Sequence, residues 1–203
     1  GNPVREAIVA LGQTGGAQEA GRPFTVLVAG GSQGARSINT AVIEMLSLVD
    51  DPTSLQVIHQ CGTGDLDRVR KAYADAGLAA RVAAFFTDME RQYARADLVV
   101  CRAGATTVAE LTCIGKPAIF IPFPHAADNH QEINARTLAD ADAAEMIREG
   151  ELDGARLWQR IRRLRDDPVR RAAMAQRARA LGRPDAAAAI VTDITAHCLT
   201  SGA

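Results

Sequence analysis

The sequence predicts an α/β fold, a doubly wound parallel sheet of about six strands with helices closing its C-terminal end. Three observations carry this expectation. Short apolar runs alternate with amphipathic segments from Phe24 to Ile147, the pattern turns wholly helical after residue 150, and a glycine-rich turn joins the first apolar run to the first helix-like segment. Continuous apolar runs separated by amphipathic helices are what a parallel sheet covered on both faces requires.

The elements follow in order. Residues 1–24 read as an irregular lead-in, with Gly12 to Gly21 as a flexible connector rich in Gly, Gln and Ala. Residues 25–203 read as the folded domain. Strands are expected at Phe24–Gly30, Leu55–Gln60, Val82–Phe86, Asp97–Arg102, Pro117–Phe123 and Ala143–Ile147. Helices are expected at Gly34–Leu48, Asp65–Ala76, Met89–Arg95, Thr107–Ile114 and Asp128–Ala139. Beyond them LWQRIRRLRDD stops at Pro168, VRRAAMAQRARALG ends on a glycine, and Pro184–Leu199 forms a closing helix.

Composition excludes several classes. A chain of 203 residues with 47% hydrophobic residues and a net charge of −1 can bury a core, and has neither the charge of a nucleic-acid binder nor the polarity of a disordered segment. Cys61, Cys101, Cys113 and Cys198 show no C-x-x-C spacing, so free thiols in a reducing compartment are expected rather than a zinc site. No apolar stretch approaches the roughly 20 residues that cross a bilayer, and none reads as a signal peptide. A soluble, cytoplasmic domain is expected. The first residue is Gly1, not methionine, which suggests a piece cut from a longer protein. Arginines crowd the segment from Arg156 to Arg183; a solvated face explains them more simply than contact with anionic lipid.

The chemistry lies in the loops. VLVAGGSQGARSIN (Val26–Asn39) runs from strand to glycine loop to helix. Helix N-termini carry unsatisfied N–H groups and a favourable dipole, so such a loop attracts phosphate. Gly30, Gly31 and Gly34 let backbone approach a ligand, and Ser32 adds a hydroxyl; a plain tight turn is the competing reading. The loop is neither G-x-G-x-x-G nor a Walker A motif, and the second strand ends in HQCG with no acid for an adenosine ribose, which argues against NAD.

A second loop, AGATTVAE (Ala103–Glu110), places Gly104, Thr106 and Thr107 at another helix start. With strand order 3-2-1-4-5-6, both loops flank the crevice at the topological switch point, where two helix N-termini suit a diphosphate. Glu110 either accepts two ribose hydroxyls or merely complements its helix dipole. A third cluster, PFPHAADNHQEINA (Pro122–Ala135), follows the fifth strand. There Asp128 is either a ligand or an N-cap, His125 a ligand, a general base or a structural group, and Asn129 and Gln131 suit sugar hydroxyls. No histidine–carboxylate spacing suggests a metal.

Taken together, GNPVR (Gly1–Arg5), GGSQGA (Gly30–Ala35), FTDM (Phe86–Met89), CRAGATTVAE (Cys101–Glu110) and PFPHAADNHQ (Pro122–Gln131) resemble the C-terminal half of the MurG family of bacterial glycosyltransferases. The resemblance covers essentially the whole chain. It implies one Rossmann-like half of a GT-B enzyme that moves N-acetylglucosamine from UDP-N-acetylglucosamine onto lipid I, making lipid II for peptidoglycan. It further implies inversion at the anomeric carbon without metal or cofactor, and a full protein held peripherally at the cytoplasmic face of the inner membrane. The acceptor-binding N-terminal half and its catalytic base have no counterpart in this chain, so no catalytic residue is expected here and the isolated chain should be inactive.

The resemblance also implies residue roles. Arg5 and the Phe86 main chain lie against uracil. Gly31, Ser32 and Gln33 of the glycine loop, with Ala105, Thr106 and Thr107, meet the diphosphate and sugar. Glu110 holds the ribose, and His130 and Gln131 meet the N-acetylglucosamine hydroxyls. Family members often carry an aliphatic residue at Phe86 and Gln at His130. The alternatives are another GT-B donor domain, against which GGSQGA argues, or a non-catalytic UDP-sugar-binding module. The closing helix is expected to pack onto the N-terminal half and so to expose apolar surface without it.

Overall fold

The structure, a computed structural model, describes residues 1–14, 21–31 and 34–200. In chain order the elements are α1 (Glu6–Thr14), β1 (Phe24–Ala29), α2 (Arg36–Leu46), β2 (Leu55–Gln60), α3 (Leu66–Asp75), β3 (Ala80–Ala83), α4 (Met89–Arg95) and β4 (Leu98–Cys101). There follow α5 (Ala105–Ile114), β5 (Ala118–Phe120), α6 (His130–Asp140), β6 (Glu145–Met146), α7 (Gly154–Asp166), α8 (Pro168–Leu181) and α9 (Ala186–Thr200). The strands form one sheet in the order β3-β2-β1-β4-β5-β6, parallel throughout. The order is the one expected, and the chain reverses direction across the sheet between β1 and β4.

Side-chain alternation along the strands builds two cores. Val26, Val28, Val57, Val100 and Ile119 face α2, α3 and α7, whose Ile38, Val42, Tyr73, Leu157 and Ile161 cover them. Leu27, Ile58, Val99 and Phe120 face the opposite way, under Ile8, Tyr93, Leu111, Ile114 and Leu138 of α1, α4, α5 and α6. A strand buried on both faces has no polar side to show, which is why these runs are continuous in apolar residues. The sheet edges are blunted. β3 is four residues long with Ala80 and Arg81 exposed. β6 carries Glu145, buried beneath Arg160, Arg163 and Arg170 at 3.2, 2.6 and 3.4 Å.

Two expectations need correction. Residues 6–14 are helical, not irregular, and Gly12 belongs to that helix. Ile8 of α1 is fully buried, and a Cβ at Gly12 would lie 2.6 Å from the Cys113 carbonyl oxygen, so only glycine lets α1 approach α5 this closely. The remainder of the proposed connector from residue 15 to 20 lies outside the described residues. The third strand spans Ala80–Ala83 instead of Val82–Phe86. Its apolar run outlasts the pairing because Phe86 turns beneath the end of the sheet and buries itself with Tyr93 and Cys101.

Cys61, Cys101 and Cys113 are free and buried, while the side chain of Cys198 is not among those described. The closing helix α9 buries Ala186 and leaves Ile190, Val191 and Ile194 exposed.

Between β2, α2 and α3 lies a buried polar chain. His59 sits 3.1 Å from the Tyr73 hydroxyl and 3.0 Å from Asn39 Oδ1, and Asn39 donates to Asp65 and to the Cys61 carbonyl. Burial lowers the His59 pKa to about 3, against the weaker pull of Asp65. Below about 6.5 the unfolded chain therefore takes up a proton that the folded protein refuses, so stability falls as pH drops from about 6.5 towards 3. A His59→Gln variant should show a flatter dependence over that window in urea unfolding, by up to ~1.4 kcal/mol per pH unit. An unchanged slope would show that His59 does not control the acid response.

Candidate functional site

The parallel sheet gathers its βα loops at one edge. There the β1–α2 and β4–α5 loops flank a cavity of about 470 Å³ lined by, among others, Arg5, Gly31, Gln60, Phe86, Tyr93, Thr107 and Glu110. Another cavity, of about 410 Å³, lies at the opposite edge and is lined by residues that include Lys116, Arg171 and Arg179. Its cations already serve main chain: Lys116 donates to the Ala96 carbonyl at the end of α4, Arg179 to carbonyls of α1 and α5, and Arg171 to carbonyls of α7. Burial lowers Lys116 to about 8 despite the attraction of Asp97. That edge is where helix C-termini are capped, so the first cavity, at the helix N-termini, is the candidate site.

Its helices are treated differently. The N-terminus of α7 is capped by Asp153 and that of α8 by Asp167, each carboxylate accepting a main-chain N–H. The two helices at the crevice, α2 and α5, have Ala35 and Gly104 as N-caps, neither making a side-chain capping bond, and neither helix has an acid in its first turn. Their first N–H groups keep the positive end of the dipole unspent. Gly34, with φ +78°, is forced by the turn, since a Cβ there would run into the Cys61 carbonyl. Gly31, with φ +86°, has open space around its Cβ position. Ser32 and Gln33 lie outside the described residues.

Of the residues expected at the site, Arg5, Gly31, Phe86, Thr107 and Glu110 line the one cavity. Ala105 and Thr106 stand exposed in the first turn of α5, where Thr106 accepts from the Asn2 side chain at 3.3 Å. Glu110 is buried. Its Oε2 accepts from the Tyr93 hydroxyl at 2.9 Å and its Oε1 lies 3.6 Å from Arg5, which also approaches Glu90 at 3.8 Å. Burial first, then the Glu110 charge, keeps the Tyr93 hydroxyl protonated far above its ordinary range, so it remains a donor. Glu110 stands beyond the first turn of its helix and is fixed from two sides, which favours a placed acceptor over a general dipole complement.

His130 and Gln131 do not reach this cavity. They open α6 on the next loop of the same edge, where His130 Nδ1 lies 2.7 Å from the Ala127 carbonyl and Gln131 accepts the Phe123 N–H at 3.1 Å. Asp128 is not a side-chain N-cap. Asp128 and Asn129 adopt left-handed φ of 49° and 53°, a strained pair of the kind that collects at ligand sites. His125 packs edge-on against Phe123 at 5.6 Å.

Sequence reasoning missed Tyr93 and Gln60. Tyr93 belongs to a helical apolar stripe, and nothing in its spacing distinguishes a core tyrosine from one that holds a carboxylate. Gln60 was visible at the end of a strand but drew notice only for not being an acid.

The family model for the glycosyltransferase family 28 C-terminal domain matches residues 25–190. A UDP-N-acetylglucosamine–N-acetylmuramyl-(pentapeptide) pyrophosphoryl-undecaprenol N-acetylglucosamine transferase from Myxococcus xanthus is 53% identical over 188 residues, 92% of this chain and 49% of its own length. The protein of the same name from Geobacter sp. strain M21 is 46% identical, over 94% of this chain and 52% of its own. The chain thus spans about half the length of these relatives. The crystal structure of Acinetobacter baumannii MurG superposes with a TM-score of 0.83 at 34% identity, covering 93% of this chain and 54% of that one. A UDP co-structure of S. aureus MnaA, at 12% identity and a TM-score of 0.64 over 96% of this chain and 49% of that one, shares the fold.

Replacing Tyr93 by Phe removes the buried hydroxyl that holds Glu110. The expected outcome is a loss of about 1–3 kcal/mol in urea-unfolding stability, the cost of leaving a buried acceptor short of a partner. No loss would mean that solvent or Arg5 replaces the bond without cost.

Proposed function

This chain belongs to the glycosyltransferase family 28 C-terminal domain family, in its MurG group, and on that premise we propose that it is the donor-binding half of the enzyme that converts lipid I to lipid II. The donor is UDP-N-acetylglucosamine. The observation that carries the reading is the pair of uncapped helix N-termini, α2 and α5, set on either side of a cavity that also contains a fixed, buried carboxylate. A diphosphate between those helices meets main-chain N–H groups and the positive dipole ends. Glu110, one α-helical turn and a half further in, has oxygens spaced to accept ribose hydroxyls. Residues 1–24 serve as the lead-in to the donor domain, and residues 25–203 form it.

The remaining roles follow from position. Arg5 stands beside the nucleoside, and the Phe86 main chain faces uracil. Gly31, Ser32 and Gln33 with Ala105, Thr106 and Thr107 surround the diphosphate. His130 and Gln131, on the next loop, take the sugar hydroxyls. In the reaction an acceptor hydroxyl forms a bond to the anomeric carbon from the face opposite UDP, and the bond to the diphosphate oxygen breaks, inverting the centre. The N-terminal half supplies the base that takes the hydroxyl proton and the surface that binds lipid I at the membrane. This half stabilises the negative charge that develops on the leaving diphosphate, a service of fixed dipoles that costs no reorganisation during the step. In this reading the apolar side chains that α9 leaves exposed are the surface against which the N-terminal half packs.

Calorimetric titration of this chain with UDP-N-acetylglucosamine, UDP and ADP, without added metal, tests the reading. Uridine nucleotides should bind and ADP should not. Failure of a folded chain to bind any uridine ligand, repeated with the N-terminal half restored, would overturn it. Glu110→Gln and Glu110→Ala should each weaken UDP by about 1–3 kcal/mol, the range for a lost hydrogen bond to a charged group. Equal affinity in both variants and the parent would remove Glu110 from the ribose.

A further inference from the structure

We propose that Gln60 is a positioning residue which couples the phosphate loop to the base-binding segment through one buried carboxamide. The inference rests on the donor-site reading above. Gln60 is the last residue of β2, the strand between β1 and β3, and is 2% exposed at the floor of the cavity. Its Nε2 donates to the Gly31 carbonyl at 3.0 Å, and its Oε1 accepts the Phe86 N–H at 2.9 Å. One side chain thus ties the glycine loop after β1 to the segment after β3, across the end of its own strand.

Packing does not hold the Gly31 end. The position has left-handed φ, and a Cβ there would meet nothing within 4 Å. Among the described residues, the bonds that fix its carbonyl are those from Gln60 Nε2 and from the Gly34 N–H at 3.2 Å. Gly31 opens the loop that the donor-site reading assigns to a diphosphate, so a held Gly31 carbonyl anchors the start of that loop. At the other end, the Phe86 N–H is already engaged by Gln60, so the direction of the Phe86 main chain is fixed before a base arrives. A carboxamide is suited to this because it donates and accepts at once from a rigid fork. An apolar side chain of equal size leaves both main-chain groups unpaired, and an ionised carboxylate sets like charge against the Gly31 oxygen.

The test uses UDP titrations of the chain and two variants, each checked for folding by thermal melting. Gln60→Met should lose at least tenfold in UDP affinity. Gln60→Glu should bind nearly as the parent does at pH 4, where an acid buried at this position is protonated and both donates and accepts. Relative to the parent it should lose at least tenfold by pH 8, where the carboxylate can only accept. Arg5, Glu110, Tyr93 and Arg102 line the same cavity, and taking the ratio to the parent at each pH removes their common contribution. A folded Gln60→Met that binds UDP like the parent, or a Gln60→Glu ratio independent of pH, overturns the inference. If neither variant folds, amide exchange in the ligand-free parent decides. A protected Phe86 N–H supports the bridge and rapid exchange overturns it. A folded parent that binds no uridine nucleotide, alone or with the N-terminal half restored, overturns the donor-site reading and this inference with it.

Discussion

Parallel strands force every connecting helix to run back against them, and the rest of this molecule follows from that polarity. Helix N-termini collect at one edge of the sheet and C-termini at the other, so each edge carries a row of main-chain groups that no helix can satisfy internally. The two edges solve the problem in opposite ways. At the C-terminal ends of the helices, Lys116, Arg171 and Arg179 donate to the carbonyls of α4, α7, α1 and α5, and Lys116 accepts a burial that lowers its pKa to do so. At the N-terminal ends of α2 and α5 the donors are left without side-chain partners. Elsewhere the positive end is answered by a carboxylate: Asp153 and Asp167 cap α7 and α8, while α3, α4 and α6, which lack side-chain caps, carry Asp67, Glu90 and Glu132 in their first turns.

An edge with spare donors attracts any anion, so selectivity needs additional geometry. In the donor-site reading proposed above, that geometry is supplied by side chains braced within the fold itself. Tyr93 fixes one oxygen of Glu110, Arg5 approaches the other, and Gln60 joins Gly31 to Phe86. Each brace crosses between different strand–helix units, so the cavity is a property of the assembled sheet and not of any one loop. The strained pair Asp128–Asn129 on the neighbouring loop shows the same preference for a set geometry over a relaxed one.

Much of this was legible in the chain. The six apolar runs and the two glycine loops follow from periodicity, and given the strand order of a doubly wound sheet those loops come to one crevice. The misses have physical reasons. The helix Glu6–Thr14 was readable in the spacing of Val4, Ile8 and Leu11, but the glycine that lets it pack against Cys113 looked like a breaker. The third strand was placed too late because VAAFF is apolar for two purposes, pairing at its start and burial of Phe86 at its end.

The sequence by itself determined the layers and the positions of the glycine-rich loops, because these depend on the period of the apolar residues and on where glycine interrupts it, whereas the strand order was a condition taken from the fold class that the structure meets. Only the tertiary structure decided which polar side chains share the cavity. Glu110, Tyr93 and Arg5 are separated by as many as 105 positions yet meet within 4 Å, and Gln60 finds partners 29 and 26 positions away. Such contacts leave no periodic trace, since a hydrogen bond between distant strands depends on register and helix packing rather than on local pattern.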